Sequence, residues 1–268
     1  MAVPYKAPVK DIVFGYEVID SYNVLNKISA FSDFSEDIVV PTMEECAKFS
    51  EEVLAPINAI GDQQGAKIED GVVTMPEEFV DAYKKFAESG WASISLPSDI
   101  GGGGMPITLS GGTLEILSTA NLAFGLAPGL SAGAISAINF HGSQEQKDKF
   151  LPKLVSGEWT GTMNLSEPQS GSDLGTIATK AEPQEDGAYK ITGTKVWITF
   201  GEHNMTENII HLVLAKVPGS PEGTKGISMF IVPKFAVNDD GSVGDSNNVS
   251  CISIEEKLGI HASPTCVM

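Results

Sequence analysis

Thr160-Gly161-Thr162-Met163-Asn164-Leu165-Ser166-Glu167-Pro168-Gln169-Ser170-Gly171-Ser172-Asp173 stands where this sequence changes its hydrophobic period. Thr162 to Leu165 suits an extended segment, Pro168 blocks its continuation as a central strand, and Gly171 frees the backbone for a turn. Small hydrogen-bonding side chains then crowd the bend. Their hydroxyls and the unpaired backbone amides point one way. The same composition also suits an Asx- or Ser-closed loop at a strand end, with no ligand.

Upstream of that stretch the pattern is helical. Cys46, Phe49, Val53, Leu54 and Ile57 recur at three-and-four spacing, as do Phe79, Tyr83 and Phe86, and Gly90 is placed to end the second run. Residues 37–156 read as helical throughout, with Ala120 to Phe140 as a buried helix pair broken by Gly125, Pro128, Gly129 and Gly133. Gly157 and Trp159 mark the change. Downstream come short β-branched runs, Tyr189 to Thr192, Val196 to Thr199, Ile209 to Val217 and Ile227 to Val232, separated by Gly, Pro, Asn and Asp. The expectation is an α+β chain: a leader over 1–36, a helical domain over 37–158, and an antiparallel β-barrel or sandwich over 159–268. The last of these is expected to be incomplete, because the chain stops inside a strand.

Lys195-Val196-Trp197-Ile198-Thr199-Phe200-Gly201 adds an indole and a further hydroxyl after one plausible strand pair. Core burial is the ordinary fate of a strand tryptophan. If instead it forms a second wall facing the bend, the pair makes a slot for a flat heteroaromatic ring, whose polar edges need fixed donors and whose faces need apolar walls. A flavin is such a ring. Glu256-Lys257-Leu258-Gly259-Ile260-His261-Ala262-Ser263-Pro264-Thr265 closes the chain.

These three segments, in this order, resemble the acyl-CoA dehydrogenase family, with its Leu-Thr-Glu-Pro-x-x-Gly-Ser-Asp, Lys-x-Trp-Ile-Thr/Ser and Lys-Leu-Gly-x-Arg-x-Ser-x-Thr signatures. Ser166 stands where threonine is usual, and His261 where arginine is. His141 to Lys147 running into Phe150-Leu151-Pro152 and Gly157 is similar to the family's helical approach, and Leu96-Pro97 with Gly101 to Gly104 to its Gly-rich loop. Tyr5, Ala7, Pro8, Asp11 and Phe14 resemble the leader of its long subgroup. The resemblance implies FAD as cofactor and an acyl-CoA as substrate, desaturated to a trans-2-enoyl-CoA.

By the same carry-over Met163, Asn164, Leu165 and Ser166 border the isoalloxazine, Trp197, Ile198 and Thr199 cover its other side, and Ser172 faces the acyl-CoA. An electron-transfer flavoprotein as acceptor, a homo-oligomer and a cytoplasmic setting are implied as well. The family's base is a glutamate of a C-terminal helical domain, so no catalytic residue is expected in this chain. Glu167 reads as a turn-fixing side chain, and His141 and His211 as structural. A non-catalytic flavin- or CoA-binding or assembly module, or an acyl-CoA oxidase of the same fold, is the alternative.

Composition narrows the classes. Seventeen lysines, no arginine and 35 acids give a net charge of −18, a field that repels nucleic acid and anionic membrane. Without arginine, a bidentate clamp on a pyrophosphate has to come from elsewhere. Cys46, Cys251 and Cys266 are odd in number and lack paired spacing, which supports neither a disulfide framework nor a zinc site. No run reaches the ~18 uninterrupted apolar residues of a membrane span, and Met1 to Lys6 lacks the apolar core of a secretion signal. The acids of Val237 to Asn248 read as a solvated hairpin tip, and Gly101 to Gly104 as a tight inter-helix turn without the lysine of a phosphate loop.

Overall fold

The computed structural model describes residues 4–268, so the reading of Met1 to Val3 lies outside it. Helix α1 (Val9–Val18) and helix α2 (Ser21–Leu25) occupy the leader. They are part of the helical core: Tyr16 is buried, and its hydroxyl donates to the Thr108 carbonyl at 2.7 Å. Gly112 makes room for that ring, since a Cβ there would lie 2.5 Å from the Tyr16 oxygen.

Helix α3 (Glu36–Phe49) continues through a π turn (Ser50–Leu54) into α4 (Ala55–Gln64), which places Cys46, Leu54 and Ile57 inside. In α5 (Glu77–Glu88) the buried residues are Phe79, Ala82, Tyr83 and Phe86, one face of a 3.6-residue period, and left-handed Gly90 follows. Helices α6 (Ile107–Ala120), α7 (Leu122–His141) and α8 (Gln144–Ser156) complete the layer. Helix α8 has reciprocal Ser143–Gln146 capping at its start and left-handed Gly157 at its end.

Three expectations need correction. The helical stretch is interrupted by an antiparallel hairpin of β1 (Lys67–Glu69) and β2 (Val72–Thr74), turned through Asp70 and Gly71, both at positive φ. An Asp-Gly pair with Ile68 before it and Val72-Val73-Thr74 after it is a strong hairpin signal, and the flanking helical periodicity hid it. The apolar run from 120 is one helix rather than two: the break falls at extended Asn121, whose side chain accepts from the Phe124 amide at 3.1 Å. By length and its mean hydropathy of 1.4, α7 suffices to cross a bilayer; here Phe124, Ala127, Ala134, Ile135 and Ile138 are buried against the protein.

The third correction concerns the β domain. Strand β3 (Trp159–Asn164) is followed by β4 (Lys180–Pro183), β5 (Tyr189–Thr192), β6 (Ile198–Thr199), β7 (Asn208–Lys216) and β8 (Ile227–Pro233). Strands β9 (Phe235–Val237), β10 (Val243–Ser246), β11 (Ser253–Glu255) and β12 (Thr265–Val267) follow. Strand β7 carries β3 parallel on one side and β8 antiparallel on the other, with β4 joining it in parallel at Lys216. The domain is therefore mixed rather than antiparallel. Its five-stranded sheet, the β11-β12-β6 sheet and the β9-β10 hairpin do not close into a barrel. β-Branched runs report that strands exist and say nothing of their direction, which the long crossover between β3 and β7 sets.

The two halves share a core in which β3 lies directly on α7. A Cβ on Gly161 would come within 2.4 Å of the Ala134 Cβ, and the Gly161 amide donates to Ser131 Oγ at 3.1 Å. Phe200, Met205 and Ala262 reach into the helical cluster around Phe79 and Phe124.

Candidate functional site

After β3 the chain turns sharply. The Glu167 amide donates to the Ser170 carbonyl at 2.7 Å and the Ser170 amide returns the bond at 2.9 Å, with Pro168 between them. The Ser170 hydroxyl donates to the Asp173 carbonyl at 2.6 Å, and the Asp173 carboxylate caps the next turn through the Gly175 amide at 3.0 Å. Glu167 does fix the turn. Its carboxylate, 3% exposed, accepts from the Ala178 amide at 2.6 Å, the Thr179 amide at 3.0 Å, the Thr179 hydroxyl, Gln169 Nε2 at 2.7 Å and Lys195 Nζ at 2.8 Å.

Lys195, equally buried, also donates to the Leu165 carbonyl at 3.0 Å. Burial works to raise the Glu167 pKa; the Lys195 ammonium, the Thr179 hydroxyl and two backbone amides outweigh it and hold the carboxyl down at about 2. A carboxylate so saturated with donors is ionised and structural.

This ion pair ties the bend to the tryptophan segment. The Val196 amide donates to the Ser166 carbonyl at 2.9 Å, so the two segments meet there. Trp197 follows with φ +59 and its side chain half exposed; Nε1 donates to Glu255 Oε1 at 3.1 Å. The ring lies beside the bend, where a Cβ on Gly171 would be 3.8 Å from its Cζ3. Strand β6 is short, Ile198 and Thr199 pairing with Cys266 and Thr265 of β12, and Phe200 is again left-handed at φ +52.

The structure thus brings the two sequence-chosen segments together, and sorts their side chains. Met163, Leu165, Ser166 and Thr199 are half-buried, and Trp197 and Ser172 are exposed. Among the described residues the Leu165 and Ser166 amides donate to no protein group. Asn164 and Ile198 point elsewhere. The Asn164 amide sits inside the β domain, its Oδ1 accepting from the Thr162 hydroxyl at 2.5 Å and its Nδ2 lying 3.4 Å from His211 Nδ1. Ile198 is buried with Val73, Cys251 and Cys266. Both side chains are thus engaged within the protein. A cleft of about 1140 Å³ borders the site, with Asn164, Lys195, Met268, His141, Phe150 and Phe230 in its lining.

Behind the site lies a polar layer that the sequence did not announce. His203 accepts from the Met205 amide on Nδ1 at 3.2 Å, which leaves Nε2–H to donate to Thr160 Oγ1 at 3.0 Å. His211 lies 3.1 Å from the Thr162 hydroxyl through Nδ1, and its Nε2 is buried without a partner. Burial pushes both imidazoles down to about 3, so both are neutral. Glu202 is paired with Lys234, and its burial pushes its carboxyl up. His211 is held in the interior of the β domain. Glu202, His203 and Glu255 carry no sequence signal, because their partners lie 32 to 58 residues away or on unpredictable turns.

Other readings settle on geometry. The amides of Gly102, Gly103 and Gly104 donate to the Pro97, Ser93 and Leu96 carbonyls at 2.9 Å each, so the glycine run has no donors left for a phosphate. Cys46, Cys251 and Cys266 are free and buried. Asp240 caps the tip of the β9-β10 hairpin through the Ser242 amide at 2.9 Å.

Comparison with known proteins matches residues 41–158 to the acyl-CoA dehydrogenase N-terminal domain and residues 162–268 to the acyl-CoA dehydrogenase middle domain. The chain is 45% identical over 264 residues to 3-methylmercaptopropionyl-CoA dehydrogenase of Ruegeria pomeroyi, covering 98% of this chain and 45% of that protein. It is 40% identical over 266 residues to a butyryl-CoA dehydrogenase of Syntrophomonas wolfei, covering 97% of this chain and 43% of that protein. It therefore spans a little under half the length of these relatives. An FAD-complexed acyl-CoA dehydrogenase from Bacillus anthracis superposes with a TM-score of 0.68 at 27% identity, covering 88% of this chain and 35% of that one. An electron transferring flavoprotein structure from Acidaminococcus fermentans gives a TM-score of 0.67 at 26% identity, covering 87% of this chain and 55% of that one. The chain belongs to the acyl-CoA dehydrogenase family, of which it carries the N-terminal and middle domains.

Proposed function

We propose that this chain supplies the flavin platform of an FAD-dependent acyl-CoA dehydrogenase. One observation carries the reading: the bend and the tryptophan segment, which the sequence singles out separately, are neighbours joined by the Val196–Ser166 bond and the Glu167–Lys195 pair. The fit to a flavin rests on what that neighbourhood offers: unengaged amides at Leu165 and Ser166, hydroxyls at Ser166 and Thr199, and a half-exposed indole held at its edge. Met163, Leu165 and Ser166 would border the ring, Trp197 and Thr199 cover it, and Asn164 and Ile198 contribute backbone. Ser172, exposed on the bend, would face the acyl-CoA.

The bound flavin supplies an electron sink for hydride that no side chain can provide. The chain's own contribution is positional. Fixed donors at the slot orient the ring and exclude water, and the buried ion pair holds them in place without reorganising. The proton at the substrate α-carbon is assigned to a carboxylate outside this chain. Glu167 is unsuited to that role, since five donors saturate it and its pKa of about 2 leaves it no drive to take a proton.

The names of the relatives support an acyl-CoA thioester as substrate, and an electron transferring flavoprotein structure among the superposing ones suits such a protein as acceptor; homo-oligomeric assembly and a cytoplasmic setting complete the proposal. The test is anaerobic addition of 3-methylmercaptopropionyl-CoA or butyryl-CoA to the purified full-length protein. The flavin absorbance is expected to bleach. A flavin-free preparation that takes up no added FAD contradicts the proposal. Residues 1–268 alone are expected to lose FAD on gel filtration, since Trp197 and Ser172 stand exposed at the slot.

A further inference from the structure

Trp197 combines two features that need a common cause. Its backbone is left-handed at φ +59 although it carries a large side chain, and its indole is 51% exposed yet held by a hydrogen bond from Nε1 to Glu255 Oε1 at 3.1 Å. A bulky residue keeps such a backbone only where its surroundings over-determine it. On one side the Val196 amide is fixed to Ser166; on the other, Ile198 and Thr199 are laddered to β12. The third anchor is Glu255, the last residue of β11, which pairs with Thr265, itself paired with Thr199. The carboxylate therefore reaches the indole from two strands away on a shared frame, with Oε2 held by Lys257 Nζ at 3.0 Å. A tryptophan needed only for packing would be buried, and one needed only on the surface has no use for a strained backbone.

Resting on the flavin reading above, we propose that Glu255 is a positioning residue that fixes the Trp197 indole as the wall of the flavin slot. It touches neither flavin nor substrate. With the carboxylate present the indole has one orientation; without it the ring rotates on its two side-chain torsions and the slot loses a wall.

The test uses full-length protein, with emission read on the FAD-free form and FAD then titrated in, comparing wild type with Glu255→Ala, Glu255→Gln and Glu255→Asp. Glu255→Gln keeps an acceptor oxygen at the same reach, and Glu255→Asp guards against misfolding of the alanine variant. Two readouts are independent of turnover: acrylamide quenching of the Trp197 emission, taken as the difference from Trp197→Phe, and FAD affinity. In Glu255→Ala quenching is expected to rise about twofold and FAD affinity to fall about tenfold, a change of about 1.4 kcal/mol. Glu255→Asp is expected in between and Glu255→Gln within about twofold of wild type in affinity. A wild type that binds FAD, with alanine and aspartate variants indistinguishable from it, overturns the positioning role alone. A wild type that binds no FAD overturns the flavin reading and this role with it.

Discussion

The helical core and the site-bearing part of the β domain are both buried, and they are built from opposite chemistry. Around Phe124, ring contacts to Phe86 at 5.6 Å and to Phe79 and Tyr83 at 6.4 Å fill the helical interior with non-directional packing. Behind the bend, Glu167, Lys195, Thr160, Thr162, His203 and His211 are buried with specific partners. Packing tolerates exchange of one apolar shape for another, whereas a buried charge or imidazole that loses its partner keeps its full desolvation cost. The difference teaches where the slot's geometry is stored: in the polar layer, which specifies one arrangement, while the helical half supplies a base for it.

The largest expected effect breaks the polar side of this contrast. Glu167→Ala strands the Lys195 ammonium in the interior and is expected to cost about 3–5 kcal/mol in urea unfolding. The double replacement Glu167→Leu/Lys195→Met is expected to recover much of that stability, because a packed apolar pair carries no stranded charge. It is not expected to recover FAD affinity. If the single variant unfolds like wild type, the pair does not hold the bend.

The second prediction uses pH. His203 and His211 have folded pKa values near 3, below the ordinary 6.5, so below pH 6.5 the unfolded chain binds protons that the folded chain refuses. Stability is whole above that pH and falls as pH drops from 6.5 towards 3, by about 1.4 kcal/mol per pH unit for each histidine. Glu202, whose pKa is raised by burial, returns part of this by taking a proton earlier in the folded state. Below about 4.5 Glu167 adds its own loss, since its folded pKa is depressed. His211→Asn is expected to remove one proton from the slope measured between pH 6.5 and 4.5. An unchanged slope would mean that His211 is not the neutral buried group described here.

The smallest effect tests the apolar side. Phe124→Leu is expected to cost only about 1–1.5 kcal/mol and to leave FAD affinity unchanged. A loss of affinity comparable to that of Glu167→Ala would dissolve the contrast between the two regions.

How much of this the sequence discloses follows the same division. Helix α5 is legible because periodic apolar positions and a terminating glycine are local, as Phe79, Tyr83, Phe86 and Gly90 show. The order of the two domains is legible from the change of period at Gly157. The β1-β2 hairpin was there to be read at Asp70-Gly71 and was masked by helical surroundings. The parallel run of β3 beside β7 depends on a crossover that no strand composition reports. At the site, Trp197 and the bend stand out in the sequence, but Glu255 and the partners of His203 and His211 are set by sheet pairing. The inward turn of Asn164 and Ile198 follows from the register of β3 and β6, which a resemblance between motifs does not carry.

The central claim is that the bend ending at Asp173 and the Trp197 segment receive one flavin ring between them. Its most direct measurement is the emission of Trp197 during FAD titration of the full-length protein, isolated as the difference between wild type and Trp197→Phe. Contact with the isoalloxazine predicts that this component is quenched in proportion to bound FAD and vanishes at saturation. FAD bound at one equivalent with the Trp197 emission untouched would contradict it.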